Sequence, residues 1–444
     1  MTQRKMMAAA GLIAVSFTLA SCAGGASPES SGGGSGGGDS NTVTFRSWSP
    51  IEQTTTQMVE AFEAENEGTI EATIFNYPEY LVDLQSRASS NTMPDIVGLQ
   101  PGALTQQYRE HLMPLQECAA DTWGEDWQDM FYPIGIEQAR MGNPEGDENF
   151  YSLPILTQTV NLWANSNIFE EQGQKIPQTW EELAAVTEAM SGNDFTPFLL
   201  PAKDSWLRNV VFMQIANNVT PGIVQEAETG SVPWTDPSIV TAFDYWQKLF
   251  TEGIAQEGAI GLDAYPSGAN QFEAGEAAMI PLGAWWIQQS DPTKDQSTIP
   301  ELSQGMSGYE PFLFPTVPGG AAQSQFVGGI DVSLGVSKNS ANPELACKVL
   351  TDFIAGAGAQ KLVNTMNDVP AVTGLSPEEF TSDKQEQIWN TFVNDWLPEV
   401  KYSRYFANPE IDQAVGDALA ALATGDSTPQ QAAESVQQVQ DSLG

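Results

Sequence analysis

Residues 271–290 read QFEAGEAAMIPLGAWWIQQS, and the fold turns on how this stretch is read. It opens as a short helix that stops at Gly275. Ala277–Leu282 follows as a small, apolar strand, ended by Pro281 and Gly283. Trp285 and Trp286 come directly after it. In open α/β sheets ligands lie beyond the carboxyl ends of the strands, so a tryptophan pair delivered there is either a ligand platform or core. Neighbouring side chains on an extended chain point to opposite sides, which predicts at most one buried ring. Each indole N–H needs a partner in either case.

Phe272, Gly275, Ala277, Ala278 and Met279, then Gly283 and Trp285, spell F-x-x-G-x-A-A-M followed by G-x-W. This resembles the signature of family 1 of the extracellular solute-binding proteins, the maltose-binding-protein-like lipoproteins of carbohydrate ABC importers. Working outward, other segments resemble the same family in the same order. Pro177-x-Thr-Trp-Glu-Glu-Leu is one, and it is also a helix start by physical rule. Thr179 can cap and Glu182 close a capping box, Leu183, Val186 and Met190 form the buried face, and Gly192 ends it. Val160–Ala164 before it reads as a strand. Pro201–Ile215 and Pro237–Phe250, with Phe243, Trp246 and Phe250 on one face, fill out the same region.

Further upstream, Val43 and Phe45 alternate toward Trp48-Ser49-Pro50, and Met58 and Phe62 sit at helical spacing. Ile70, Ala72 and Ile74 alternate again, Leu81, Leu84 and Ala88 share a helix face, and Met93–Gly98 is the next strand. Strands and helices in that alternation predict a parallel, doubly wound sheet with right-handed crossovers. The Tyr77-x-x-Tyr80 loop, Pro94-Asp95-Ile96-Val97 and Leu112-x-Pro-Leu115 add to the resemblance. Downstream, Phe326-Val327-Gly328-Gly329 begins a third piece and Val332–Val336 is a strand. Asn342-Pro343-Glu344 starts a helix whose apolar face is Leu345, Val349, Leu350 and Phe353. Two amphipathic helices close the chain, one through Ile411, Val415, Leu419 and Leu422, the other opened by Thr428-Pro429-x-Gln431. Between them Thr424-Gly425-Asp426 resembles the family's tight turn.

The resemblance implies an α/β, two-lobed periplasmic-binding-protein fold with a hinge of about three strands and an inter-lobe cleft. Lobe 1 would comprise residues 42–153 and 328–372, and lobe 2 residues 154–327 and 373–444. A body of about 400 residues is indeed too long for one core. The implied activity is capture of a neutral carbohydrate, from mono- to oligosaccharide, and its delivery to the permease subunits of an ABC transporter. The chain would be a monomer without cofactor, metal or enzymatic activity.

The N-terminus fits an extracytoplasmic address. Arg4 and Lys5 precede an apolar run, Met6–Leu19, too short to span a bilayer. Leu19-Ala20-Ser21-Cys22 resembles a bacterial lipobox, which makes residues 1–22 a lipoprotein signal peptide and Cys22 the lipidation site. An ordinary secretory signal with an incidental cysteine is the alternative. Two acyl chains on Cys22 would anchor the protein to the outer face of the cell membrane. Residues 23–41, with SGGGSGGGDS at their centre, form a Gly/Ser tether with an r.m.s. reach of roughly 25 Å. No Lys-Ser/Thr follows those glycines, so they are not a phosphate loop.

Lys+Arg 17 against Asp+Glu 57 gives a net charge of −40. Such a surface repels nucleic acid and anionic lipid. With His111 the single histidine, neither a histidine-based triad nor a multi-histidine zinc site can be built. S-x-x-K and the P-loop are absent from the sequence, and G-x-S-x-G occurs only inside the glycine run of the tether, at Gly33–Gly37, with no strand before it or helix after it. Carboxylates are so numerous that a glycosidase-type pair cannot be rejected by counting. A surface-anchored glycoside hydrolase or lyase is therefore the alternative reading, and an adhesin a third.

A sugar site needs aromatic faces for pyranose C–H faces and polar edges for hydroxyls. The resemblance carries over Trp285 as the stacking residue, with Gln158, Trp206 and Asp331. Trp48, Glu52, Tyr80 and Gln100 are expected in loops at the carboxyl ends of lobe 1 strands, and Tyr402 and Arg404 are placed to close the cleft. Trp163, Trp180 and Trp246 read as core. Gln158 stands where better-known family members carry a carboxylate, which bears on which sugar is bound. By the family's chain path Cys118 and Cys347 both fall in lobe 1. They are either two buried thiols or, as expected in an oxidising compartment, a disulfide.

Overall fold

The computed structural model describes residues 41–288, 308–320, 326–366, 368–380 and 382–443. The signal segment, Cys22 and nearly all of the tether lie outside the described residues. Among the described residues no helix is long and apolar enough to cross a membrane.

Among the described residues eight strands form one mixed sheet system. They are β1 (Thr42–Ser47), β2 (Thr69–Ile74), β3 (Ile96–Leu99), β4 (Leu153–Asn165), β5 (Met279–Gly283), β6 (Tyr309–Phe312), β7 (Val327–Val336) and β8 (Tyr402–Ser403). The order is β2-β1-β3-β7-β4-β5, with β6 on β4 and β8 on β7. β1 pairs in parallel with β2 and β3, so the doubly wound reading holds for the first three strands. It does not hold beyond them. β7 enters antiparallel between β3 and β4, because the chain returns to this sheet from the other lobe.

Two strands run through two cores. Leu153, Ile155 and Leu156 of β4 and Val332, Leu334 and Val336 of β7 pack with Val43, Phe45, Met58 and Phe353. Val160, Leu162 and Ala164 of β4 and Val327 of β7 pack instead with Leu183, Phe212, Phe243 and Trp246. The molecule is thus an α/β, two-lobed protein whose lobes share continuous strands. A third passage lies beside them. The Thr157 N–H donates to the Val369 carbonyl at 2.9 Å, and the Ala371 N–H to that of Ile155 at 3.0 Å.

At the crossing, Gly329 has φ +112°, a conformation that side chains with a Cβ rarely adopt. A Cβ there would fall 2.1 Å from Gln138 Oε1. The buried Gln138 amide fills that space, donating to the Gly328 carbonyl and accepting from the Ile330 N–H, each at 2.9 Å.

Helix starts follow sequence rules. Thr179 accepts from the Glu182 N–H at 3.3 Å. The Glu182 carboxylate reaches back to the Gln178 N–H at 2.8 Å, one residue earlier than the capping-box rule gives. Asn342 and Asn408 cap the helices that Pro343 and Pro409 open. Trp163, Trp180 and Trp246 are buried core residues. Cys118, in helix Gln116–Trp123, is disulfide-bonded to Cys347 in helix Pro343–Ala355, with Cα atoms 5.6 Å apart.

Two expectations about the opening stretch are corrected. Pro281 does not end the strand but lies within β5, opposite Leu162. β5 terminates the strand order, where a residue without an N–H is tolerated. Trp285 and Trp286 are both buried, at 7% and 0% exposure, not one of the two. They sit on a 3₁₀ turn, Ala284–Gln288, so strand alternation does not govern them.

Candidate functional site

Trp285 is positioned by the glycine two residues before it. A Cβ on Gly283 would lie 1.7 Å from Trp285 Cζ3, so the indole folds back over bare backbone. That gives the G-x-W spacing its physical meaning. The indole Nε1–H donates to the Tyr265 hydroxyl at 2.9 Å. Trp206, in the first turn of helix Ser205–Val219, meets the ring edge-to-face at 6.2 Å. The partner Trp286 turns the other way, into a cluster with Trp163, Phe272 and Tyr309.

Arg404 lies over the same indole, Cζ 4.9 Å from the centroid, a cation–π contact. It follows β8, which pairs with the start of β7. Its Nη2 donates to Asp331 Oδ1 at 2.9 Å and to the Tyr405 hydroxyl. The Tyr405 hydroxyl donates to the Asp331 carbonyl at 3.3 Å. Asp331 belongs to β7 between Ile330 and Val332, both buried in the lobe 1 core, so alternation turns its carboxylate away from that core. Burial pushes its carboxyl above the ordinary range and the Arg404 guanidinium opposes the shift. Asp368, on the third passage, is buried and pushed up further, by burial first and then by Asp331.

The facing wall comes from the first three strands. Trp48 follows β1, and Tyr77 opens helix Tyr77–Ser90. Their rings meet edge-to-face at 5.1 Å, and the Tyr77 hydroxyl donates to Gln100 Oε1 at 2.7 Å. Tyr77 lies near enough to the other wall to feel it. Burial raises its phenol, Arg404 lowers it, and Asp331 raises it again.

Of the residues singled out in the sequence, Trp285, Trp206, Asp331 and Arg404 come together on one wall, and Trp48 and Gln100 on the other. Three fall elsewhere, and Tyr80 backs the second wall. Tyr80 is on a helix, not a loop, and is wholly buried, its ring 5.4 Å from that of Trp48 and its hydroxyl donating to the Gly98 carbonyl at 2.5 Å. Gln158 is wholly buried within β4, where its Nε2 reaches the Ile330 carbonyl at 3.4 Å. Tyr402 packs over Gly222, where a Cβ would sit 2.8 Å from its ring. Glu52 is exposed at the start of helix Glu52–Glu65, and among the described residues its carboxylate makes no hydrogen bond or ion pair with the cluster. Tyr77, Tyr265, Tyr405 and Asp368 were not singled out as site residues. Tyr405 adjoins Arg404 and Tyr77 opens the Tyr-x-x-Tyr motif, but Tyr265 and Asp368 carry no local signal.

Among the described residues no group of three or more His, Cys, Asp or Glu is suited to a metal ion. The site offers aromatic faces beside a fixed guanidinium–carboxylate pair, equipment for packing a ring face and holding polar edges.

A sequence profile for bacterial extracellular solute-binding proteins matches residues 57–387. The multiple sugar-binding protein of Streptococcus mutans is 22% identical over 347 residues, 76% of each chain. The galactooligosaccharide-binding protein of Bacillus subtilis is 23% identical over 391 residues, 84% of this chain and 82% of that one. In fold, a chitin oligosaccharide binding protein superposes with TM-score 0.74 at 24% identity, covering 91% of this chain and 99% of the other. Maltose-bound MalE3 of T. maritima gives 0.73 at 16% identity, covering 91% and 100%. The profile spans well over half of the sequence, and the shared-strand, two-lobed architecture agrees with it: this chain belongs to the bacterial extracellular solute-binding protein family.

Proposed function

We propose that the protein captures a neutral carbohydrate between lobes formed by residues 42–153 with 328–372 and 154–327 with 373–444, without chemical change, and passes it to an ABC permease. The observation that carries this reading is the pair of facing walls. Trp285, held by Gly283, Trp206, Tyr265 and Arg404, belongs to one, and Trp48, Tyr77 and Gln100 to the other, with Tyr77 within electrostatic reach of Arg404 and Asp331. Aromatic faces and polar edges in these groups suit a pyranose, its C–H face on an indole and its hydroxyls on Gln100, Asp331 and Arg404. The sugar ligands named for the relatives support the same class. Two acyl chains on Cys22 would hold the protein at the outer face of the membrane, with the tether giving it reach.

A thermal-shift screen over mono-, di- and trisaccharides tests this, because a ligand bound only by the folded state raises the melting point. At a hundredfold excess over Kd the gain is about 2.7 kcal/mol. Absence of any shift at millimolar sugar overturns the carbohydrate reading. Release of new reducing ends from an oligosaccharide overturns the binding-protein reading in favour of a hydrolase.

A further inference from the structure

We propose that Asp368 is a ligand-binding residue, its free carboxyl oxygen accepting a sugar hydroxyl at the hinge side of the cleft and making the site reject acidic sugars. The inference rests on the carbohydrate reading above and adds a residue and a selectivity to it.

Asp368 is 1% exposed. Its Oδ1 accepts the Val369 N–H at 2.8 Å, while its Oδ2 is buried without a hydrogen-bond partner. A buried carboxyl oxygen left unpaired is costly, and such an atom in a binding protein is explained by a donor that arrives with the ligand. The position fits. Asp368 immediately precedes the passage in which Val369 and Ala371 bond to β4. It lies within electrostatic reach of Asp331 and of Tyr265, whose hydroxyl holds Trp285.

The charge count around it sets the selectivity. Asp331 on β7, Glu273 on helix Ala269–Glu273 and, at Tyr77, Asp412 on helix Pro409–Thr424 are the other carboxylates that reach this group among the described residues. Tyr265, Tyr405 and Tyr77 are neutral phenols there. Arg404 is the cation of the cluster, and Asp331 already takes it. A hydroxyl entering beside Asp368 finds an acceptor, whereas a uronate adds a further acidic group beside Asp331 and Asp368 with no unpaired cation in the cluster to take it.

Calorimetry on the full chain tests this with maltotriose, xylotriose, triacetylchitotriose and digalacturonate, for the wild type and Asp368→Asn. Asparagine keeps an oxygen for the Val369 N–H and removes the charge. The neutral trisaccharide that binds the wild type best should bind the variant about tenfold more weakly or worse. The unliganded melting point should stay level or rise, since a buried acidic group beside Asp331 is gone. A merely structural Asp368 gives the reverse, a lower melting point with affinity kept within about twofold, and that overturns the proposal. Should Asp368→Asn fail to fold, Asp368→Ser, which also retains a capping oxygen, is read the same way. Digalacturonate as the best wild-type ligand overturns the selectivity. If none of the sugars binds the wild type, the carbohydrate reading falls and takes this inference with it. Binding by the wild type and the variant alike removes the inference alone.

Discussion

Trp48, Tyr77 and Gln100 on the lobe 1 wall satisfy one another without charge, through an edge-to-face ring pair and one neutral hydrogen bond. The opposite wall clamps Trp285 beneath a guanidinium whose counter-charge is almost as buried as itself, with side-chain exposures of 5% and 14%. Neutral contacts of the first kind contribute little each and can be rearranged at small cost. A buried ion pair is weak evidence for net stability, but removing one member is expensive. The comparison indicates that the charged wall is the more costly of the two to disturb.

Arg404→Ala tests the charged wall with the largest expected effect. It leaves Asp331 buried without its cation and should cost about 3–5 kcal/mol in denaturant unfolding. Adding Asp331→Asn should recover most of the loss, and a double variant no more stable than the single would break the account. Trp285→Ala should weaken sugar binding by about 1–3 kcal/mol with the fold retained. Calorimetry showing unchanged affinity would take Trp285 out of the site. Tyr77→Phe, on the neutral wall, deletes one hydrogen bond and should cost about 0.5–1.5 kcal/mol of affinity. A loss exceeding that of Trp285→Ala would invert the comparison.

A test by pH concerns the segment that carries Arg404. Glu228 accepts the Asn408 N–H at 3.0 Å and also the Ala407 N–H, so it holds that segment's far end. Burial raises its carboxyl from 4.5 to about 7, Asp412 adds to the shift, and the two N–H groups oppose it. A carboxyl held more tightly protonated in the folded state contributes stability that is full below pH 4.5 and lost as pH rises through about 7. Thermal melts of the unliganded protein should therefore fall in midpoint across that window, and Glu228→Gln should flatten the decline. An unchanged slope in the variant would assign it to other groups.

Much of the fold was legible because its signals are local. The alternation of Val43 and Phe45, the Asn-Pro helix starts and the Thr179 cap each act within a few residues. The antiparallel entry of β7 was not, since nothing within a strand states which neighbour it will meet. The site divided the same way. Gly283 and Trp285 are two residues apart and announced themselves together. Tyr77 and Tyr80 share one motif, and only the packed helix decides which hydroxyl is spent on the Gly98 carbonyl. Asp368 is one acidic residue among 57, so its chemistry appears only when burial and Asp331 close around it.

The Gln138 amide bonds Gly328 and Ile330, the two positions of β7 that flank Gly329, from outside the sheet. A proton shared between strands escapes to solvent only when the strands part. The Ile330 amide proton is held by a side chain instead, and exchanges when the Gln138 amide leaves it and water reaches this buried crossing. It is thus a counter placed at the joint, and its deuterium exchange records how often that joint lets go.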